Sequence, residues 1–130
     1  MVEYLVGTDS ESTSERIVAY LNGRIEADDM VYVVNSLRGG DQTTDVETAE
    51  GRDALDAAED SLDCEVETHQ IVRGNNPHED LLTFAEEHDV DELVIGIRKR
   101  NPTGKVVFGS EAQDILLNSS RPVVAVPLTE

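Results

Sequence analysis

Five short runs rich in Val, Ile, Leu and Tyr, at Val2–Val6, Met30–Val34, Val66–Val72, Leu93–Ile95 and Val123–Val126, alternate along the chain with single stretches of helical periodicity. Brief apolar runs of β-branched residues bounded by turn residues read as strands covered on both faces. Strand, helix and strand in regular succession give a parallel sheet, because each helix is a right-handed crossover that returns the chain to the same edge. The expected fold is α/β: a single doubly wound domain over residues 1–130, with a five-stranded parallel sheet and helices on both faces. A chain of 130 residues is long enough to bury such a core without metals or disulfides.

The helical stretches carry their own start and stop signals. Ser12-Thr13-Ser14-Glu15 has the pattern of a capping box, followed by Ile17, Val18 and Leu21 on one face and Gly23 as a stop. The second stretch sets Leu55, Ala58 and Leu62 on one face, with Glu47, Glu50, Asp53, Asp56, Glu59 and Asp60 elsewhere, a pattern of a solvated acidic face. Asn76-Pro77 opens the third, which carries Leu81, Phe84, Ala85 and His88. Ser110-Glu111-Ala112-Gln113 opens the fourth, with Ala112, Ile115, Leu116 and Ser119 at helical spacing.

Charge narrows the partners. Acidic residues number 28 against 10 basic ones, a formal charge of −18 that repels nucleic acid and anionic lipid surfaces. With 8 Arg and only Lys99 and Lys105, the surface has the make-up of proteins adapted to molar salt, so a halophilic source is expected. No run is long enough to cross a membrane and the start lacks the form of a signal peptide, so a cytoplasmic chain is expected. Cys64, alone and beside Asp63 and Glu65, reads as structural. His69, His78 and His88 have no ligand spacing, so no metal site is expected; nor is a catalytic Ser/His/Asp set indicated. His88, closing an apolar face, suits a helix C-terminus.

In a doubly wound sheet a ligand binds beyond the carboxyl ends of the strands where strand order reverses. The loops at Gly7–Glu11, Asn35–Asp41, Arg73–Asn76 and Gly96–Ser110 are therefore the places to look. The last, GIRKRNPTGKVVFGS, holds Arg98, Lys99, Arg100 and Lys105, which is 4 of the 10 basic residues in a strongly acidic chain. It ends at Gly109-Ser110, where a helix begins and free amide N–H groups can meet an anion. Residues alone leave two readings open: an anion site, or a capping serine with a basic cluster that offsets the acidic surface. It is not a P-loop, because Val106 follows Gly104-Lys105 and no Gly stands five positions before Gly104.

The chain resembles the universal stress protein (UspA) family, whose nucleotide-binding members carry G-x2-G-x9-G-[S/T] between the fourth strand and fourth helix. Gly96 fills the first position and Gly109-Ser110 the last two, while Lys99 stands where the second glycine belongs. Further resemblance lies in Gly7-Thr8-Asp9, Tyr32-Val33-Val34, Gly74-Asn75-Asn76-Pro77 and the closing Arg121-Pro122-Val123-Val124-Ala125-Val126-Pro127, so that it spans nearly the whole chain. The resemblance implies a Rossmann-like small stress-response or regulatory protein that binds ATP or AMP. It puts Thr8 and Asp9 at the adenosine end, Val33 against the adenine ring, and Gly96, Arg98, Lys99, Gly109, Ser110 and Glu111 along the ribose and phosphates. As ordinary alternatives, Asp9 is a loop carboxylate capping nearby amides and Val33 a buried strand residue. Glu111 suits the first turn of a helix but repels phosphate unless a divalent cation held by the phosphates intervenes. Lys99 either adds a charged contact or obstructs the backbone's approach. The resemblance also implies a homodimer through the last strand, Pro122–Pro127. Competing readings are a slow nucleotide-hydrolysing enzyme and a member of the family that dimerises and signals without nucleotide. A phospho-receiver ranks low because the chain offers Arg73 and Pro127 where an Asp and a Lys are needed. A flavodoxin-like FMN site is disfavoured by carboxylates within Thr8–Thr13.

Overall fold

Each of the five apolar runs becomes a strand, and the side-chain alternation along them sorts the core into two layers. A computed structural model describes residues 1–98 and 110–128. The strands β1 (Glu3–Gly7), β2 (Met30–Leu37), β3 (Glu65–Val72), β4 (Glu92–Ile97) and β5 (Val123–Pro127) form one parallel sheet in the order β3-β2-β1-β4-β5. They alternate with α1 (Glu11–Asn22), α2 (Asp45–Ser61), α3 (Pro77–His88) and α4 (Ser110–Asn118), and a 3-10 turn at Gly40–Gln42 precedes α2. Tyr4, Val6, Val31, Val33 and Val94 face one way and pack on Ile17, Val18 and Leu21 of α1 and on Leu55 and Ala58 of α2. Leu5, Val34, Leu93 and Ile95 face the other way, onto Leu81, Phe84 and Ala85 of α3 and Ile115 of α4. Period-two alternation in central strands thus supplies a core to both helical layers.

The helix ends follow capping chemistry, with one shift from the sequence reading. Helix α1 starts at Glu11, and its cap is Ser10, whose Oγ accepts from the Thr13 amide at 3.3 Å. The Ser12–Glu15 box does not form, because Thr13 and Ser14 are turned inward and buried. Ser14 instead donates its hydroxyl to the Ala54 carbonyl at 2.7 Å, tying α1 to α2. Helix α2 has a full capping box between Thr44 and Glu47 that the sequence reading passed over. Asn76 and Pro77 open α3 as expected, and Glu79 accepts the Asn76 amide at 3.0 Å. Asp89 ends α3 in the left-handed region, at φ 49°, where Asp is tolerated better than bulkier residues. The six acids expected to lie off the apolar face of α2 are all exposed.

Two aspartates fasten the amino end of the central strand. Asp29, just before β2, accepts the amides of Val2 and Glu26, both at 2.8 Å. Asp91, just before β4, accepts the Glu3 amide at 2.8 Å and donates its own amide to the Glu3 carbonyl at 2.8 Å. Asp29 is only 4% exposed, and the hydrogen bonds from Glu26 and Val2 hold its carboxyl below the usual carboxylate range against the opposing cost of burial. At the carboxyl end, Asn35 donates to the Thr8 carbonyl at 2.9 Å and accepts from Gln70 at 3.0 Å, and Gln70 also donates to the Thr48 carbonyl at 3.0 Å.

Two outcomes follow from these contacts. A folded-state carboxyl pKa below the unfolded value stabilises the fold above that unfolded value and loses the contribution as pH falls through the folded one. Asp29→Asn is therefore less stable than the parent at neutral pH, and the gap in denaturant midpoint narrows below about pH 4. Gly51 on α2 is buried, and a Cβ there would collide with the Asn35 side-chain oxygen and lie 2.9 Å from Gln70 Nε2. Alanine gains about 1 kcal/mol in helix propensity, yet overpacking costs about 1–3 kcal/mol. Gly51→Ala should thus be destabilised or neutral in urea melts, and a clear gain in stability would show that the amide pair yields.

Candidate functional site

Chain direction across the sheet reverses between β1 and β4. The sequence steps outward from β1 through β2 to β3, then crosses back to β4 and β5, so the α1–α2 and α3–α4 pairs diverge beyond the carboxyl ends of β1 and β4. A cleft of about 210 Å³ opens there. Its floor comes from Gly7, Thr8, Val34, Ser36, Ile95 and Gly96, and its walls from Pro77 and Leu81 of α3 and from Glu111, Ala112 and Ile115 of α4. Asp9, Thr13, Arg98 and Leu128 complete the rim. Val34, Leu81, Ile95 and Ile115 make the interior mainly apolar, a surface suited to a planar ring, while the polar groups stand at its edge.

Of the residues expected at a nucleotide, Thr8, Asp9, Gly96, Arg98 and Glu111 are brought to this one cleft. Thr8 is nearly buried; its hydroxyl shares a hydrogen bond with Ser14 at 2.8 Å and donates to the Ser10 carbonyl at 3.2 Å, so its side chain shapes the loop. Asp9 is open to solvent, with one carboxylate oxygen accepting from Thr13 Oγ1 at 2.9 Å and the other 4.0 Å from Arg98. The Asp9–Arg98 pair thus bridges the ends of β1 and β4 across the cleft mouth. Both are more than half exposed, so the pair adds little stability and its charges remain accessible. Leu128 lies over Gly96 at the end of β4: a Cβ there would approach Leu128 Cδ1 to 2.7 Å, so the Leu128 side chain would have to shift.

Val33 corrects the sequence reading. Its side chain is fully buried with Val31 and Val94 in the layer that faces α1 and α2, and it is Val34, one residue on, that lines the cleft. A shift of one position in a strand sends the side chain to the other face. Lys99 and Gly109 lie outside the described residues, as does the side chain of Ser110.

The structure adds Asp80, which the sequence did not single out, and gives Glu111 and His78 one another as partners. Asp80, 4% exposed, accepts from Ser36 Oγ at 2.6 Å and from Asn75 at 3.3 Å, fixing the first turn of α3 to the end of β2. Glu111 Oε2 accepts the His78 amide at 2.7 Å and lies 2.7 Å from His78 Nδ1, while its Oε1 is 3.5 Å from Arg38. Asn76-Pro77 does place His78 in the first turn of α3, but nothing local marks its partner 33 residues away. His88 closes α3 as expected, stacked on Phe84 with ring centroids 3.8 Å apart and Nδ1 3.1 Å from the Phe84 carbonyl oxygen. Burial, reinforced by Asp29, Asp63 and Glu65, pushes the Cys64 thiol pKa up and away from thiolate chemistry.

Comparison with known proteins agrees with this arrangement. A model of the universal stress protein family matches residues 4–127. A universal stress protein from Archaeoglobus fulgidus superposes with a TM-score of 0.81 at 38% identity, covering 97% of this chain and 98% of the other. A structure of the universal stress protein from Archaeoglobus fulgidus in complex with dAMP gives 0.72 at 32% identity, with the same coverage. A 53-residue stretch is 51% identical to a universal stress protein from Mycolicibacterium smegmatis, and this match spans 41% of this chain and 41% of the length of that relative. With the family model matched over residues 4–127 and a relative 38% identical across nearly the whole chain, the chain belongs to the universal stress protein family.

Proposed function

We propose that this chain is a small stress-response or regulatory protein that binds an adenine nucleotide, ATP or AMP, in the cleft beyond β1 and β4. One observation carries the reading: an apolar slot, the Asp9–Arg98 pair and the first turn of α4 meet at the switch point of the sheet. The relative in complex with dAMP, 32% identical to this chain, supports it. In this reading the base enters the slot beside Val34, Leu81 and Ile95, and Asp9 accepts from a ribose hydroxyl. Gly96, Arg98, Lys99, Gly109, Ser110 and Glu111 would line the ribose and phosphates. A divalent cation held by the phosphates fits the acidic surroundings. Hydrolysis is at most slow.

The protein is further read as a cytoplasmic homodimer. Among the described residues no helix is long and apolar enough to cross a membrane. Strand β5 stands at the sheet edge, where unpaired backbone groups can meet a second chain, and Leu116 and Leu117 of α4 are exposed. The acid-rich composition fits a halophilic source.

Calorimetry in molar KCl should give saturable heat with AMP or ATP, and Asp9→Ala should weaken either by about 1–2 kcal/mol through loss of a hydrogen bond to a charged acceptor. No heat with either nucleotide overturns the reading. The charge of −18 also makes stability salt-dependent. Between 1 M and 0.01 M salt the screening length grows from about 3 to 30 Å, so the melting temperature falls with dilution; an unchanged one contradicts the halophilic reading.

A further inference from the structure

Glu111 stands in the first turn of α4, where free backbone amides favour an anion, yet its own carboxylate would repel one. The structure holds that carboxylate sideways. Oε2 meets two donors of one residue, the His78 backbone N–H at 2.7 Å and His78 Nδ1 at 2.7 Å. The contact pairs Oε2 with the Nδ1–H form of the ring. The Arg38 guanidinium flanks Oε1 at 3.5 Å, and Asp114 lies 3.6 Å from the same His78 nitrogen, keeping the imidazole between two carboxylates of α4. His78 is the most enclosed of the four side chains, at 18% exposure.

We infer that His78, with Arg38, is a positioning residue for the ligand's phosphates: it clasps Glu111 against the start of α3 and turns the carboxylate's charge away from the anion that α4 receives. The inference rests on the nucleotide reading above. It accounts for an acidic residue in a phosphate-facing turn without requiring a cation to neutralise it, and it makes His78 and Arg38 determinants of how many phosphates are accepted. Releasing the clasp frees a negative charge inside the cleft, and the penalty grows with ligand charge.

The test is titration of the full chain with adenosine, AMP and ATP, without divalent cations and at fixed salt. His78→Ala should weaken ATP about fivefold, AMP less, and adenosine not at all, the scale expected for one added charge contact in a partly solvated cleft. Adding Glu111→Gln to that variant should restore ATP affinity, which a merely structural role for His78 would not produce. Glu111→Gln should raise ATP affinity more in the His78→Ala background than in the parent, because only there is the carboxylate's charge left unmatched. Arg38→Gln, a surface change, repeats the charge-graded loss if His78→Ala does not fold. Equal losses for all three ligands, failure of Glu111→Gln to rescue, or a gain in ATP affinity from Glu111→Gln as large in the parent as in the His78→Ala background overturns the clasp. If the parent binds none of the three, the nucleotide reading fails and the clasp falls with it, an outcome visible before any variant is made.

Discussion

The hydrogen-bonded chain from the Thr8 carbonyl through the side-chain amides of Asn35 and Gln70 fixes the end of the sheet on which the cleft depends. Asn35 is 1% exposed, and its amide joins Thr8, just past β1, to β2, while Gln70 carries the connection to β3 and to the Thr48 carbonyl of α2. In a medium of low dielectric, removing one member leaves its neighbour's buried polar atom unpaired, a cost of about 1–3 kcal/mol. Among the described residues no buried side-chain nitrogen or oxygen lacks a partner. The carboxyl ends of three strands are thereby held in one geometry, and the loop that carries Asp9 leaves the sheet from a fixed point.

The polar residues around the cleft divide by exposure. Thr8, Ser14, Asn35 and Asp80 are buried and bonded within the protein, so they define shape. Asp9 and Arg98 at the rim and Glu111 in the wall are partly open to water. In a chain of −18, two of the acids at the cleft are met by nearby donors. Arg98 faces Asp9 at the mouth, and the donors of α3 face Glu111 at the wall. Opposite charges close by outweigh a diffuse net charge, because salt screens the latter over a few ångströms while contacts inside a cleft are screened less.

Sequence patterns made much of the fold legible because they report local physics. Short β-branched runs, helical spacing and the Asn76-Pro77 start each act within a few residues, and each appears in the structure where the pattern put it. The α1 cap moved to Ser10 because a serine-rich stretch offers several hydroxyls, and burial of Thr13 and Ser14 decided among them. Val33 and Val34 are chemically alike, so only the face on which β2 meets α3 could tell which reaches the cleft. The His78–Glu111 contact and the Asp29 and Asp91 staples join residues 33, 27 and 88 positions apart. No short motif encodes such pairs; they exist only once the crossovers have set the helices side by side.

The Asp91 staple also bears on the entropic cost of closing the sheet. Strand β1 meets β2 across a separation of 27 residues at the Val2–Asp29 contact, but it meets β4 across 88 at Glu3–Asp91. Closing the longer loop costs about 1 kcal/mol more in chain entropy, so the entropic disadvantage falls on the β1–β4 seam. The cleft lies on that seam. A molecule bound there touches both sides of that seam, so its binding free energy opposes their separation.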